Sequence, residues 1–203
     1  MQVEQATNYP WSGLVKLTIH IPKKEFASVA LRIPGWATGK AVPGEMYSFV
    51  QDQVELPTIK VNGQAYAYEQ NQGYAWIKRE WKEGDVVEYV LPMQVKKVVA
   101  RTEVKQDKSR YALQRGPIIY CIEGADNSGD VWNLVAPLHA SWKEESYKVL
   151  DEPVVSLVAR LPVITVDTTA NKVETNEKAI RAIPYYTWCN RGSNPMQVWL
   201  PST

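Results

Sequence analysis

The sequence predicts an all-β protein built as two antiparallel β-sandwich or jelly-roll domains. Short segments alternate between apolar and polar residues, and turn-forming residues recur about every 8–12 positions. No segment longer than about ten residues keeps a helical period of apolar positions. The chain has 203 residues, enough for one large β domain or for two domains of about 100 residues each.

The first half of the chain shows the clearest alternation. In residues 14–21, Val15, Leu17 and Ile19 share one face, which predicts a half-buried strand that ends at Pro22. The same criteria predict strands at 26–33, 74–79, 86–91 and 95–104, and a long loop with at most one short strand at 37–57.

One tight turn is predicted by residue type alone. Asn62 and Gly63 separate two extended segments, and both residues tolerate a positive φ. The sequence therefore predicts a two-residue type I′ hairpin at this point.

The second half begins after a charged stretch at 105–110. This stretch predicts a domain boundary, with a first sandwich over 1–106 and a second over 107–203. Residues 141–150 are expected to form a short helix or a turn. Strands are predicted at 111–114, 118–122, 154–159, 162–166, 178–183 and 197–200.

Composition excludes several classes of partner. The net charge is +1, which provides no long-range field for nucleic acid or an anionic membrane surface. No apolar run reaches the 18 or so residues that a membrane helix needs. We therefore expect no nucleic-acid or membrane partner, while the compartment stays open.

Amphipathic aromatic residues are unusually frequent, with 8 Trp and 11 Tyr against 2 Phe. Their flat faces suit both sheet packing and stacking on sugar rings, and for any single residue sheet packing is the favoured use. The candidate sugar-binding residues are Trp36, Trp76, Trp132 and Trp142.

The acidic residues do not indicate a reaction. The densest acidic segment, 123–130, contains glycines and could bind Ca²⁺ through oxygen ligands, but its spacing favours an ordinary turn. Nothing in the sequence indicates a catalytic pair of Glu83 and Glu123, although such a pair stays open. No catalytic residue is expected.

The remaining reactive residues are two histidines and two cysteines. His20 is expected on the polar face of a strand, and His139 in a loop. Cys121 and Cys189 are a poor set for zinc, so no metal site or other cofactor is expected, and whether they pair is open.

Seven short phrases follow one another along almost the whole chain, at 9–13, 31–37, 61–63, 81–85, 114–117, 120–127 and 183–192. Together they resemble glycoside hydrolase family 127, whose characterised members include β-L-arabinofuranosidases. Arg191, in the last phrase, could hold a carboxylate or a sugar hydroxyl, but a loop carbonyl is the favoured partner.

The resemblance implies that a catalytic (α/α)6 barrel precedes residue 1 and that this chain forms the two β-sandwiches behind it. It places the nucleophilic cysteine and its zinc site in the barrel, so Cys121 and Cys189 are assigned neither role. It also implies that the last strand, near 196–200, returns to the first sandwich.

Three functions follow, in order of preference. The first is a non-catalytic accessory region of an enzyme of carbohydrate metabolism, which packs on its own barrel and supports it. The alternative is an independent carbohydrate-binding module for a plant-type oligosaccharide. A self-standing β-sandwich hydrolase comes last.

Overall fold

Strands form nearly all the regular structure of the chain. A computed structural model describes residues 1–50 and 54–202. Within these residues no helix is long and apolar enough to cross a membrane. The all-β prediction is confirmed. The helical segments are single 3-10 turns at Gly35–Thr38, Lys105–Asp107, Gly124–Asp126 and Tyr185–Thr187.

The backbone packs into two units. The first comprises Met1–Pro43 and Gln51–Gln94, and the second comprises Gly44–Val50 and Val95–Thr203. A short segment near residue 47 therefore belongs to the second unit, although it lies inside the first unit in sequence.

The first unit is a sandwich of two antiparallel sheets. One sheet has the strand order β1-β2-β9-β5-β6, and the other has the order β3-β8-β7. Its strands are β1 (Gln2–Thr7), β2 (Leu14–His20), β3 (Glu25–Arg32), β5 (Thr58–Val61), β6 (Gln64–Ala65), β7 (Gln70–Asn71), β8 (Tyr74–Trp81) and β9 (Val86–Val90).

Alternation along the strands builds the core of this unit. Leu17 and Ile19 of β2 face inward, as predicted, and meet Ile77 and Trp81 of β8 from the opposite sheet. The Trp81 Nε1–H donates to the Ala27 carbonyl at 3.1 Å, so the polar atom of this buried ring is satisfied.

The predicted hairpin is present between β5 and β6. Asn62 and Gly63 have φ angles of 52° and 77°, as a type I′ turn requires. The Asn62 side chain also contacts the neighbouring strand β9, where its Oδ1 accepts a hydrogen bond from the Val86 N–H at 2.9 Å. Turn and neighbouring strand are thereby joined.

A buried carboxylate completes this junction. Asp85 accepts from the Asn62 amide at 2.9 Å and from the Lys82 N–H at 3.1 Å, with Arg79 at 3.7 Å. Burial alone would raise the pKa of Asp85, but these hydrogen bonds and the charge of Arg79 outweigh burial and lower it. Asp85 is therefore held as an anion.

The second unit is one antiparallel sheet with the main order β13-β14-β15-β12-β11-β10-β4. Its last two strands, β16 and β17, pair with the ends of β12 and β11 that the β11–β12 pairing leaves uncovered. The strands are β4 (Tyr47–Phe49), β10 (Val95–Ala100), β11 (Arg110–Arg115), β12 (Ile118–Glu123), β13 (Lys143–Val149), β14 (Glu152–Asp167), β15 (Lys172–Pro184), β16 (Met196–Gln197) and β17 (Leu200–Pro201).

The segment at 131–142 crosses this sheet and joins its distant strands. Leu134 forms a bridge with Val163 of β14, and the Trp142 Nε1–H donates to the Tyr111 hydroxyl at 3.2 Å. The Lys97 ammonium of β10 donates to two carbonyls of the same segment. The segment thus contacts strands on both sides of the sheet, and Leu134 and Trp142 are both buried.

The hairpin formed by β14 and β15 extends beyond the core. Residues 164–179 are exposed or only half-buried, although the pairing continues to Asp167 and Lys172. Val166 and Val173 lie opposite each other near its end, and both are largely exposed.

Three differences from the predictions have a common origin in long-range pairing. The division lies between 94 and 95 rather than at 106, because β10 pairs with β11 and the charged stretch is their solvated connection. The strands at 196–201 pair within the second unit and not with the first sandwich. Residues 143–149 form a strand rather than a helix or turn, because they pair with β14.

We expect the Asp85→Ala variant to lose about 2–4 kcal/mol of unfolding free energy, because Asn62 and the Lys82 N–H would lose their buried partner. Urea denaturation measures this change. The matched control is Glu55→Ala, which removes an exposed carboxylate of the same unit and should change stability by no more than about 0.5 kcal/mol. Equal effects of the two variants would contradict this account of Asp85.

Candidate functional site

The four predicted sugar-binding tryptophans occupy different environments. Trp142 is only 9% exposed and donates a hydrogen bond to Tyr111, so its ring is packed in the core. Trp36 is half-buried against the core of the first unit. Trp76 is 39% exposed on the first unit, and Trp132 is 64% exposed on the second. Sugar binding stays a prediction for Trp36, Trp76 and Trp132. The buried ring of Trp142 has no exposed face on which a sugar could stack.

Trp76 lies in an open groove of about 480 Å³ on the first unit. The ring projects from the outer face of β8, in register with Ala30 of β3. The groove combines two aromatic rings with charged and amide groups. It is lined by Tyr66, Ala67, Glu69, Asn71, Trp76 and Lys78.

A second exposed aromatic cluster lies in the second unit, at the 3-10 turn Tyr185–Thr187 and the residue after it. We call residues 185–188 the aromatic turn. Tyr185, Tyr186 and Trp188 are all exposed, and the rings of Tyr185 and Trp188 stack at 6.1 Å with 8° between their planes. The signal for this cluster is the run Tyr-Tyr-Thr-Trp after a proline, which we did not select as a site from the sequence.

Hydrogen bonds fix the backbone of the aromatic turn. Thr187 is buried, and its hydroxyl donates to the Pro184 carbonyl at 2.7 Å. The Trp188 N–H donates to the Tyr185 carbonyl at 3.1 Å. The Cys189 N–H then donates to a carboxylate oxygen of Glu123 at 3.2 Å. The exposed rings therefore project from an ordered backbone.

Glu123 belongs to a buried ion cluster with Asp126 and Arg191. The Arg191 guanidinium donates to Asp126 through both terminal nitrogens, at 2.7 and 2.5 Å, and to Glu123 through Nη2. The Tyr147 hydroxyl adds a bond to Asp126 at 2.7 Å. The two carboxylates have no more than 1% of their side-chain surface exposed, and Arg191 has 18%. Arg191 thus binds carboxylates of its own chain rather than a loop carbonyl.

The electrostatics keep Asp126 and Arg191 charged. Burial alone would raise the pKa of Asp126, but the hydrogen bonds from Arg191 and Tyr147 and nearby positive charges lower it. Hydrogen bonding to Asp126 is the main reason that the pKa of Arg191 is raised. Asp126 is therefore an anion near neutral pH and is not available as a general acid.

Glu83, the other member of the acidic pair that the sequence left open, also has hydrogen-bond partners. Its carboxylate contacts His20 Nδ1 at 2.8 Å and accepts from the Ile21 N–H at 2.7 Å. These contacts lower the pKa of Glu83, and hydrogen bonds to Glu83 and Glu4 raise the pKa of His20. Glu83 and Glu123 each serve to hold neighbouring backbone.

The two cysteines are unpaired and differ in environment. Cys121 is buried, and burial together with the charges of Glu123 and Asp126 raises its pKa to about 12. Cys189 is exposed and has a φ of 66°. Zinc ligation requires a thiolate, which the surroundings of Cys121 oppose.

Among residues 1–50 and 54–202, no three His, Cys, Asp or Glu side chains are placed to share a metal ion. Since the donors present do not form a ligand set, the zinc that the resemblance implies has no fitting site in the described chain.

We expect Arg191→Met to cost about 3–5 kcal/mol of unfolding free energy, because two buried carboxylates would lose their counter-ion. Urea denaturation at neutral pH measures the loss. The matched control is Arg160→Met, in which an exposed arginine bonds only to a carbonyl, and its effect should stay below about 0.5 kcal/mol. A loss below about 1 kcal/mol in Arg191→Met would contradict a stabilising ion cluster.

The same cluster predicts a pH dependence. Because the folded pKa of Asp126 lies below its unfolded value, its contribution is fully present above the unfolded pKa and is lost as the pH falls through the folded pKa. Unfolding free energies measured from about pH 7 to pH 3 should fall less steeply in Arg191→Met than in the wild type. Parallel curves would contradict the coupling.

Thiol labelling tests the cysteine environments. With an aromatic disulfide reagent at about pH 8, the folded chain should react rapidly at Cys189 alone, since Cys121 is buried and stays protonated. Cys189→Ser should abolish this reaction, and unfolding should release a second equivalent in the wild type. Two rapid equivalents in the folded chain, or none, would contradict the assignment.

Comparison with known proteins places these features in a family. Residues 1–93 match the family model described as "Beta-L-arabinofuranosidase, GH127 middle domain", and residues 95–201 match "Glycoside hydrolase family 127 C-terminal domain". A curated relative, the non-reducing end β-L-arabinofuranosidase of Bifidobacterium longum subsp. longum, is 30% identical over 98% of this chain and 30% of its own length.

Solved structures agree with this assignment. The GH127 β-arabinofuranosidase BT3674 is 36% identical with a TM-score of 0.92, over 99% of this chain and 31% of its own. Ara127N-Se, a GH127 β-L-arabinofuranosidase from Geobacillus stearothermophilus T6, is 32% identical with a TM-score of 0.84, over 99% and 30%. The chain thus spans about a third of these relatives' length. It belongs to glycoside hydrolase family 127 and contains the middle and C-terminal domains of that family.

Proposed function

We propose that this chain is the non-catalytic β region of a longer glycoside hydrolase that acts on β-L-arabinofuranosides. The observation that carries the proposal is the pair of matched domains, which together account for only about 30% of the length of the relatives. The catalytic (α/α)6 barrel, with its zinc, would belong to the part of the protein outside the match.

The chemistry of the described residues supports a non-catalytic role. Glycoside hydrolysis requires two carboxyl groups, or an equivalent nucleophile and acid, around one bond. Glu123 and Asp126 are buried against Arg191, and Glu83 is engaged with His20. The thiol of Cys121 is buried and protonated. None of these groups is poised to attack or protonate a sugar.

The proposed role is to pack on the barrel and to stabilise it, through a surface that includes the aromatic turn. Tyr185, Tyr186 and Trp188 present large apolar faces to water in the isolated chain. Their backbone is already ordered by Thr187 and Glu123, so burying the rings would cost little further conformational entropy. Such a surface suits a permanent contact with another part of the same protein.

A paired measurement tests this role. We expect Tyr186→Ser to change the unfolding free energy of the isolated chain by no more than about 0.5 kcal/mol, because the ring is 62% exposed. In the full-length protein the same change should cost about 2 kcal/mol or more, since the ring would there be buried. Equal, small effects in both contexts would remove the aromatic turn from the proposed contact.

Activity of the full-length protein tests the absence of catalysis in this region. We expect Cys121→Ser and Cys189→Ser each to keep hydrolysis of an aryl β-L-arabinofuranoside within about twofold of the wild type, because the reacting groups lie elsewhere. A loss of about a hundredfold in kcat, with stability unchanged, would place a catalytic group in the chain. Failure of the wild type to hydrolyse the substrate would overturn the proposed activity.

A further inference from the structure

We propose that the Trp76 groove of the first unit is a binding site for a neutral sugar ring of an oligosaccharide. This function goes beyond support of a barrel, and it assigns a ligand to a groove on the outer face of β8. Trp76 would stack on the sugar face, and the polar side chains around it would bond to hydroxyl groups.

Strand register brings the groove together. Trp76 and Lys78 project from the same face of β8, two residues apart. Asn71 of β7 pairs with Tyr74, so Asn71 lies on that same face, and Glu69 precedes it by two positions. Three residues from two strands thus share one side of the sheet, and Glu69 joins them from the segment just before β7.

The ring of Trp76 has space above it. Its cross-strand partner on β3 is Ala30, whose side chain is too short to cover an indole. By contrast, the exposed Trp188 of the second unit already stacks on Tyr185, which occupies one of its faces. The Trp76 groove has a volume of about 480 Å³, within the range of about 300–1,000 Å³ typical of small-ligand sites.

The polar groups of the groove are uncommitted. Within the described residues, the side chains of Glu69, Asn71, Trp76 and Lys78 have no hydrogen-bond or ion-pair partner. They offer one carboxylate acceptor, one ammonium donor, one indole N–H, and an amide that does both. A polyol is the ligand class that uses donors and acceptors together beside an apolar face.

Charge favours a neutral ligand. Glu69 and Lys78 contribute opposite charges to the same groove, so neither an anionic nor a cationic ligand is favoured overall. A neutral pentose or hexose ring therefore fits better than a uronic acid or an amino sugar.

Titration of the ¹⁵N-labelled chain with arabino-oligosaccharides of about three to five units tests the proposal. The chain has 8 indole N–H signals, and comparison with Trp76→Phe assigns the relevant one. We expect saturable shifts of the Trp76 signal, with affinity falling by roughly thirtyfold or more in Trp76→Ala. Trp76→Phe should retain part of the affinity, because it keeps an aromatic face.

Phe26→Ala is the matched control, since it removes an exposed ring of the same unit that does not line the groove, and it should leave binding unchanged. Loss of binding in Phe26→Ala but not in Trp76→Ala would overturn the proposal, as would the absence of shifts at about 10 mM sugar. A preference for oligogalacturonate over neutral oligosaccharides would overturn the charge argument. Because the titration uses this chain alone, its failure would leave the accessory role intact.

Discussion

The structure of the second unit depends on two buried carboxylates that share one arginine. Glu123 ends β12 and Asp126 follows it within one turn, while Arg191 arrives from the loop after β15. Burying these carboxylates without a counter-ion would cost several kcal/mol, so the two distant segments are held together. The Cys189 N–H donates a hydrogen bond to the same Glu123, and this bond helps to orient the aromatic turn.

This arrangement also gives the acidic residues at 123 and 126 a structural role. A catalytic carboxyl needs a pKa near the working pH and access to the substrate. The cluster around Arg191 provides the opposite, with the pKa of Asp126 lowered and both carboxylates closed to solvent. Acidic residues here are part of the packing.

Local sequence signals predicted the local structure well. Alternation in β2 and the Asn62–Gly63 turn are properties of neighbouring residues, and both appear as expected. The strand at 143–149 was missed because only its last residue, Val149, is buried, so its conformation depends on pairing with β14. The boundary near 106 was misplaced for a related reason: charge marks a solvated turn, whether or not a domain ends there.

Sequence predicted the candidate site only in part. Trp76 was selected by residue type together with Trp142, and only packing separates an exposed ring from a core ring. Glu69 and Asn71 belong to no sequence motif. Pairing with Tyr74 brings Asn71 beside β8, and Glu69 lies just before β7. The register of β7 and β8 is set at Gln72 and Gly73, whose φ angles of 50° and 78° repeat the Asn62–Gly63 pattern. The Gln72–Gly73 turn was the sequence signal that could have indicated the pairing of β7 with β8.

The placement of β4 limits how this region can change in evolution. Since Gly44–Val50 belongs to the second unit, the chain passes between the units three times, near 43, 50 and 94. No single cut releases either unit whole: removing residues 1–94 would take β4 away from β10 and leave that strand as a bare edge. Separating the two family domains at residue 94 would therefore expose an edge strand of the second unit, which favours their inheritance as a pair.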